Sequence, residues 1–144
     1  MPGQGGRGLS GFLRISAGPS DRNPVDLYAD GGLTFKGPFA PRPDDLIGLG
    51  VAWGRISPQA QGLDRDLAAL TGQGMPIRDY ELGLELSYQW AVATKWMVQP
   101  DLQVILHPGG HVALSGSGSQ APALPASSAI PDVLVLGFRT IVKF

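Results

Sequence analysis

Hydrophobic and polar residues alternate along most of this chain, and a period of two is the pattern of a β-strand with one apolar face. The clearest example is 80–90, where Tyr, Leu and Trp take every second position while Glu81, Glu85 and Gln89 stand between them. Segments of this kind predict six strands, at 9–17, 25–37, 46–57, 80–90, 95–108 and 133–144. The sequence therefore predicts an all-β fold.

The connections between these segments differ in length. Those at 38–45 and 91–94 are short, whereas 58–79 has 22 residues and 109–132 has 24. Short turns at one end of a sheet and long loops at the other are typical of outer-membrane β-barrels; only 18–24 is short where a long loop is expected. We expect an antiparallel meander with next-neighbour pairing and no helix of more than three turns.

Composition narrows the class of protein. Charged residues make up 16% of the 144, below the roughly 25% of soluble domains. A net charge of −1 gives no footprint for nucleic acid, and the absence of cysteine excludes disulfides and thiolate metal sites. The longest apolar run, 46–54, is far shorter than the ~20 residues of a membrane helix. Residues 1–8 lack the apolar core of a signal peptide, so an export signal would lie outside this sequence.

Alternation by itself also fits a soluble β-sandwich that binds carbohydrate, with its polar residues facing water. The aromatic residues favour a membrane barrel, because they gather near the strand ends that meet the short turns, where a barrel has its interfacial girdle. The predicted girdle consists of Phe39, Tyr88, Trp90, Trp96 and Phe144. Arg55 is the one strand charge on the apolar phase, near a strand end from which its stem can reach the interface.

Several segments resemble one family in the same order along the chain. The segment WMVQPDLQVILHPGG at 96–110 closely resembles the penultimate strand and following loop of the OprB-type carbohydrate-selective porins. ELGLELSYQ at 81–89 resembles the strand before it, and DLIGLGV through RIS at 45–57 is similar to an earlier strand. VLGFR at 135–139, continuing to Phe144, resembles the closing strand.

This resemblance implies a sixteen-stranded barrel in the outer membrane of a Gram-negative bacterium, through which glucose and similar sugars diffuse. The chain would supply only its C-terminal six strands: a disordered tail at 1–8 and a partial barrel domain at 9–144. The implied partners are small sugars, outer-membrane lipid, the barrel-assembly machinery and the missing N-terminal strands. Phe144 resembles the terminal assembly signal, although Arg139 stands where that signal usually has glycine. We expect no conducting channel from such a fragment alone, since its edge strands would be open.

The polar phase of the strands is predicted to line the pore from the concave side. Its members are Asp26, Asp30, Lys36, Glu81, Glu85, Gln89, Gln99, Asp101, Gln103 and Arg139. Such groups can replace the hydrogen bonds between sugar hydroxyls and water. Phe12 and Tyr28 share this phase, where a ring could stack on a sugar or simply pack. The small residues Gly48, Gly50, Ala52 and Gly54 would leave part of the wall bare.

Other candidate chemistry is weak. Glu81 and Glu85 lie about 13 Å apart along one strand, whereas glycosidases need roughly 5–9.5 Å between their carboxyl groups. We therefore predict no catalytic residues, no enzyme activity and no cofactor. His107 and His111 bracket a Pro-Gly-Gly turn, but no third zinc ligand is evident and no regular element fixes the pair. They are interpreted as loop and strand-end residues, and no metal site is predicted.

Overall fold

A computed structural model describes residues 7–72, 74–114 and 128–144, and these form one antiparallel sheet with a helix in one connection. The strands are β1 (Gly8–Ala17), β2 (Val25–Lys36), β3 (Leu46–Ile56), β4 (Tyr80–Ala93), β5 (Trp96–Leu106) and β6 (Val133–Val142), and the helix is α1 (Pro58–Thr71). Sheet order follows chain order, and every neighbouring pair is antiparallel. The predicted six-stranded meander is confirmed, with strand ends that differ from prediction by at most three residues.

Two predicted features fall partly or wholly beyond the described residues. Of the disordered tail predicted at 1–8, residues 1–6 lie outside the described part of the chain, and Gly8 already belongs to β1. The serine- and glycine-rich run at 115–119 lies within 115–127, which the structure does not describe. The described fold therefore consists of the six strands, helix α1 and the connecting residues within the described ranges.

Helix α1 corrects one prediction, because 58–79 was expected to be a loop without a helix of more than three turns. Its 14 residues make almost four turns. Ser57 caps its start, accepting a hydrogen bond from the Ala60 N–H at 3.2 Å, and Pro58 supplies the favoured first residue. Gly72, at φ 65°, ends it by donating its N–H to the Ala68 carbonyl. No residue of α1 is buried. The strands on either side of the helix, β3 and β4, pair directly with each other.

No helix within the described ranges combines the length and apolar character needed to cross a membrane.

One side of the sheet, which we call the leucine face, carries the apolar phase of every strand. The register aligns one leucine from each of five neighbouring strands in a single row. These are Leu33, Leu49, Leu86, Leu102 and Leu136. None of them is buried, and Leu136 is 79% exposed. Among the described residues Ile56 is the one buried hydrophobic side chain, so the second layer required by a soluble β-sandwich is not found there.

The turn between β2 and β3 is fixed by a buried carboxylate. Asp45 is 1% exposed, and its oxygens accept hydrogen bonds from the Tyr88 hydroxyl, the Ala91 N–H and the Arg42 guanidinium. Burial alone would raise the pKa of Asp45, but these three donors together lower the pKa below its ordinary value. An ionised Asp45 therefore ties this turn to the end of β4.

Candidate channel wall

The second side of the sheet, which we call the polar face, carries the opposite phase of the strands. Its central row runs across β1 to β5 through Phe12, Gly32, Gly50, Glu85 and Gln103, each directly opposite the next. Neighbouring strands are about 4.8 Å apart, so Phe12 and Glu85 are separated by roughly 14 Å with two glycines between them. The row is thus a bare floor bordered by an aromatic ring and a carboxylate.

A shallow depression of about 250 Å³ follows this floor. It is lined by polar and aromatic side chains, by glycine and alanine, and by three aliphatic residues. The first group is Phe12, Tyr28, Asp30, Glu85 and Gln103, and the aliphatic residues are Val51, Leu84 and Ile105. The ring of Phe12 lies over Gly32, because a Cβ atom there would come within 2.8 Å of it. A larger residue at 32 would displace the ring, so the glycine and the aromatic side chain are matched.

Two polar contacts give this face a fixed pattern of charge. Arg14 donates two hydrogen bonds to the carboxylate of Asp30, at 2.7 and 3.1 Å, and Asp30 is almost fully buried. Gln103 donates to Asp101 at 3.2 Å. Asp101 lies opposite Gly137, where even a methyl group would overlap the carboxylate. The absence of a side chain at 137 therefore makes room for this acidic group.

The register also locates the other predicted pore-lining residues. Lys36 lies opposite Leu46, which lies opposite Gln89, and Gln99 lies opposite Arg139, all on the phase of the polar face. Glu81 lies opposite Gly54 on the same phase, and it accepts a hydrogen bond from the Gly109 N–H. Their contact with a permeating sugar remains a prediction.

The small residues of β3 occupy the expected positions. Gly48, Gly50, Ala52 and Gly54 each lie opposite a polar-face residue of β4. A Cβ atom at Gly50 would find nothing closer than 3.7 Å, so the backbone there is open rather than crowded. This strand presents a nearly smooth wall.

Asp26 is an exception, and its predicted place on the polar face is wrong. The pairing of β2 with β3 is irregular between Val25 and Leu27, which leaves Asp26 on a bulge. Both Val25 and Tyr28 lie beside Gly54 on the polar face, so the bulge turns Asp26 the other way. Its carboxylate accepts two hydrogen bonds from Arg55, both 2.9 Å long.

This bulge also accounts for Arg55, the one strand charge predicted on the apolar phase. Arg55 lies opposite Leu27, on the leucine face, and its guanidinium is neutralised by the almost fully buried Asp26. Neither residue is alone on that side of the sheet. The sequence pattern identified the unusual charge but not its partner.

The predicted aromatic girdle lies at the end of the sheet with the short turns. Trp90 and Trp96 share the leucine face, lying opposite Val98 and Val142 respectively. The guanidinium of Arg42 lies 4.7 Å from the Trp90 ring centre, and the Trp96 indole N–H donates to Thr140. The Phe39 and Tyr88 rings are 6.4 Å apart, and Phe144 is fully exposed. The positions fit a girdle, while the lipid contact remains a prediction.

At the opposite end, an ion pair forms within the connection from β3 to β4. Arg78, just before β4, donates to Asp64 of α1 at 2.8 and 2.9 Å. The hydrogen-bonded guanidinium lowers the pKa of Asp64. This ion pair holds α1 against the chain that leads into β4.

Sequence reasoning missed a residue at this end of the sheet. Asp79 lies beside both His107 and His111, and the three could hold a metal ion, because their donor atoms lie within 4.8 Å of one another. The β4–β5 register offered a signal for it: Leu82 pairs with Leu106, so continuing the ladder brings Asp79 opposite Gly109, between the two histidines. A third candidate ligand, which was not evident from the sequence, is therefore brought to the two histidines by the fold.

Comparisons with known proteins bear on this geometry. The family model for "Carbohydrate-selective porin, OprB family" matches residues 1–144. Porin B of Pseudomonas aeruginosa is 36% identical over 116 residues, an alignment that covers 75% of this chain and 25% of Porin B. A solved structure, "High pH structure of Pseudomonas putida OprB", matches with a TM-score of 0.75 at 30% identity, over 96% of this chain and 31% of that one.

Proposed function

This chain belongs to the OprB family of carbohydrate-selective porins, and we propose that its sheet forms part of the wall of a sugar channel in the outer membrane. The observation that carries the proposal is the opposition of the two faces on a single layer. An exposed row of leucines faces one way, and a floor of glycine bordered by Phe12 and Glu85 faces the other. A wall between lipid and water needs that arrangement.

The chain spans about a quarter of the length of Porin B and 31% of the Pseudomonas putida structure. We therefore propose that further strands complete the barrel, sixteen in all. Within the described residues β1 pairs only with β2 and β6 only with β5, so each has one edge available for another strand. An unpaired edge in hydrocarbon leaves backbone groups unsatisfied at several kcal/mol each. Six strands alone are accordingly expected to form no stable channel.

Passage of glucose and similar sugars is the function proposed for the polar face. Carboxylate, amide and guanidinium groups can exchange hydrogen bonds with hydroxyls at little net change in free energy, which favours movement over tight binding. The exposed ring of Phe12 offers an apolar surface for the face of a pyranose, across the glycine floor from Glu85 and Gln103. Channel function requires no bond chemistry, and members of this family are channels rather than enzymes.

Sidedness follows from the loops. In outer-membrane barrels the short turns face the periplasm and the long loops face outward, so α1, Asp79 and the histidines would lie on the cell surface. The girdle would then mark the periplasmic interface, with Phe144 as the residue presented to the barrel-assembly machinery. Lipid would contact the leucine face throughout.

Sugar influx into liposomes tests the proposed function. The complete gene product carrying these residues is reconstituted, and swelling in glucose is compared with protein-free liposomes. We expect glucose entry that depends on the protein, and Glu85→Leu is expected to change the rate while Leu49→Val on the opposite face leaves it unchanged. Absence of protein-dependent entry, or equal effects of the two substitutions, would contradict the proposal. The 144-residue chain alone should give no entry.

A further inference from the structure

Three side chains from two separate connections converge at the end of the sheet where β3 and β5 finish and β4 begins. Asp79 is the residue before β4, while His107 and His111 flank the Pro-Gly-Gly turn that follows β5. The Nδ1 atom of His107 lies 3.0 Å from one carboxylate oxygen of Asp79, and that of His111 lies 3.6 Å from the other. The two imidazole rings are 4.0 Å apart and stacked. All three side chains are partly exposed, so an ion can reach them from solvent.

Backbone hydrogen bonds fix this cluster independently of its side chains. The Asp79 N–H donates to the Gly110 carbonyl at 2.8 Å, and the Asp79 carbonyl accepts from the Ile56 N–H at 2.7 Å. Gly110 is buried directly against Ile56, where a Cβ atom would come within 2.6 Å of that side chain. The turn is therefore seated on the sheet, and the ligand-bearing residues are held close before any ion binds.

The backbone at the two histidines is unusual. His107 has φ 52° and His111 has φ 75°, and these are the non-glycine residues with positive φ in the described part of the chain. Glycine adopts this conformation most readily, and histidine, like asparagine and aspartate, is enriched in it among the other residues. Strained residues persist where the surrounding structure holds them and often mark functional sites. In these positions both histidines direct an imidazole nitrogen toward the same carboxylate.

We propose that Asp79, His107 and His111 bind a divalent transition-metal ion of the zinc type. Two imidazoles and a carboxylate are a common zinc ligand set, with water in the fourth position. Bonds of about 2.0–2.1 Å in a tetrahedron place ligand atoms roughly 3.3 Å apart. The nitrogen–oxygen separations of 3.0 and 3.6 Å, each to a different oxygen of Asp79, are close to that value. Coordination requires the stacked rings to turn apart by small side-chain rotations, for which their partial exposure leaves room.

The bound ion would fasten the two long connections to each other. Asp79 ends the connection that contains α1, and the histidines begin the connection from β5 to β6. The His107 N–H also donates to Asp132, at the far end of that second connection. An ion at the cluster therefore joins these two connections and reinforces the junction that the Asp79–Gly110 backbone hydrogen bond already makes.

The test uses the complete gene product without an affinity tag, purified in detergent and stripped of metal with a chelator. Zn²⁺ is titrated by calorimetry, and Co²⁺ is titrated while its visible absorption is recorded. The variants are Asp79→Asn, His107→Asn and His111→Asn, because asparagine removes the ligand yet tolerates positive φ. Asp21→Asn is the matched control, since it removes an exposed carboxylate in the β1–β2 connection at the same end of the sheet.

We expect one Zn²⁺ per chain in the parent and in Asp21→Asn, and a loss of affinity of about tenfold or more in each ligand variant. Co²⁺ should give the absorption of a tetrahedral complex in the parent that each ligand variant loses. Circular dichroism confirms the sheet in every variant, and three independent variants cover the failure of one to fold. No saturable binding to the parent, or unchanged affinity in all folded ligand variants, overturns the proposal. Binding is measured without transport, so its result is separate from that of the liposome experiment.

Discussion

The two faces of the sheet carry side chains of opposite character, and adjacent residues of one strand belong to different faces. Leu86 belongs to the unbroken leucine row, whereas Glu85 belongs to the row that crosses two glycines and ends at Phe12. In a soluble protein the leucines would be covered and the glutamate exposed to water on the outer side. Here no second layer covers Leu86 within the described ranges, and it is 42% exposed. This contrast is the arrangement that the proposed channel wall requires, with lipid against the leucine face and water against the polar face.

The strongest test of this contrast places the same charge on each face at neighbouring positions. Leu86→Lys is expected to lower the free energy of unfolding by about 2–4 kcal/mol, the cost of a lysine on the lipid side near the bilayer centre. Glu85→Lys should cost less than about 1 kcal/mol, because water and polar groups solvate the ammonium. Urea unfolding of the complete gene product in lipid vesicles measures both. Equal losses for the two variants would break the comparison.

A smaller difference is expected between the two ion pairs in which an exposed arginine covers a buried aspartate. Asp26 with Arg55 lies on the leucine face, and Asp30 with Arg14 lies on the polar face. Arg55→Gln leaves a carboxylate on the face proposed to meet lipid, whereas the Asp30 carboxylate left by Arg14→Gln can be hydrated. We expect the larger loss of stability from Arg55→Gln in the same unfolding experiment. A larger loss from Arg14→Gln would mean that the faces are assigned the wrong way round.

The strands and the meander could be predicted from sequence, because the alternation of apolar and polar residues is recognisable even where the ends of a strand are uncertain. Along 80–90 it fixes both the element and its two faces. Helix α1 was missed although Ser57-Pro58 and Gly72 are ordinary signals for the start and end of a helix. These signals lie between two segments of strand pattern, and α1 buries no residue, so it lacks the strong apolar stripe that marks a packed helix.

Features that depend on long-range pairing could not be read from the pattern alone. Val25, Leu27 and Ala29 keep the apolar alternation through the bulge, so the sequence gives no sign that Asp26 changes face. Asp79 and His107 are 28 residues apart along the chain and meet only because β4 and β5 pair. Contacts of this kind depend on which residues of neighbouring strands lie opposite each other, and the alternation along one strand does not specify that.

The smallest expected effect on stability comes from the ion pair between Asp64 and Arg78, at the end of the sheet with the long loops. Because Arg78 lowers the pKa of Asp64 in the folded state, this pair stabilises the fold above the unfolded pKa of about 4. That contribution, about 0.2–1 kcal/mol, is lost as pH falls through the lower, folded-state pKa. Unfolding of the parent and Asp64→Asn should therefore differ at neutral pH and converge below about pH 4. A difference that persists at low pH would show that the pair acts through packing rather than charge.

Cysteine accessibility on adjacent residues tests the opposition of the two faces most directly. The 144 residues contain no cysteine. Gly50→Cys on the polar face and Leu49→Cys on the leucine face therefore each introduce one thiol into this part of the protein. The complete gene product is placed in lipid vesicles and treated with a charged, water-soluble thiol reagent while ionic conductance is recorded. We predict rapid modification at 50 with reduced conductance, and little or no modification at 49. Equal modification of both thiols, or faster modification at 49, would contradict the account.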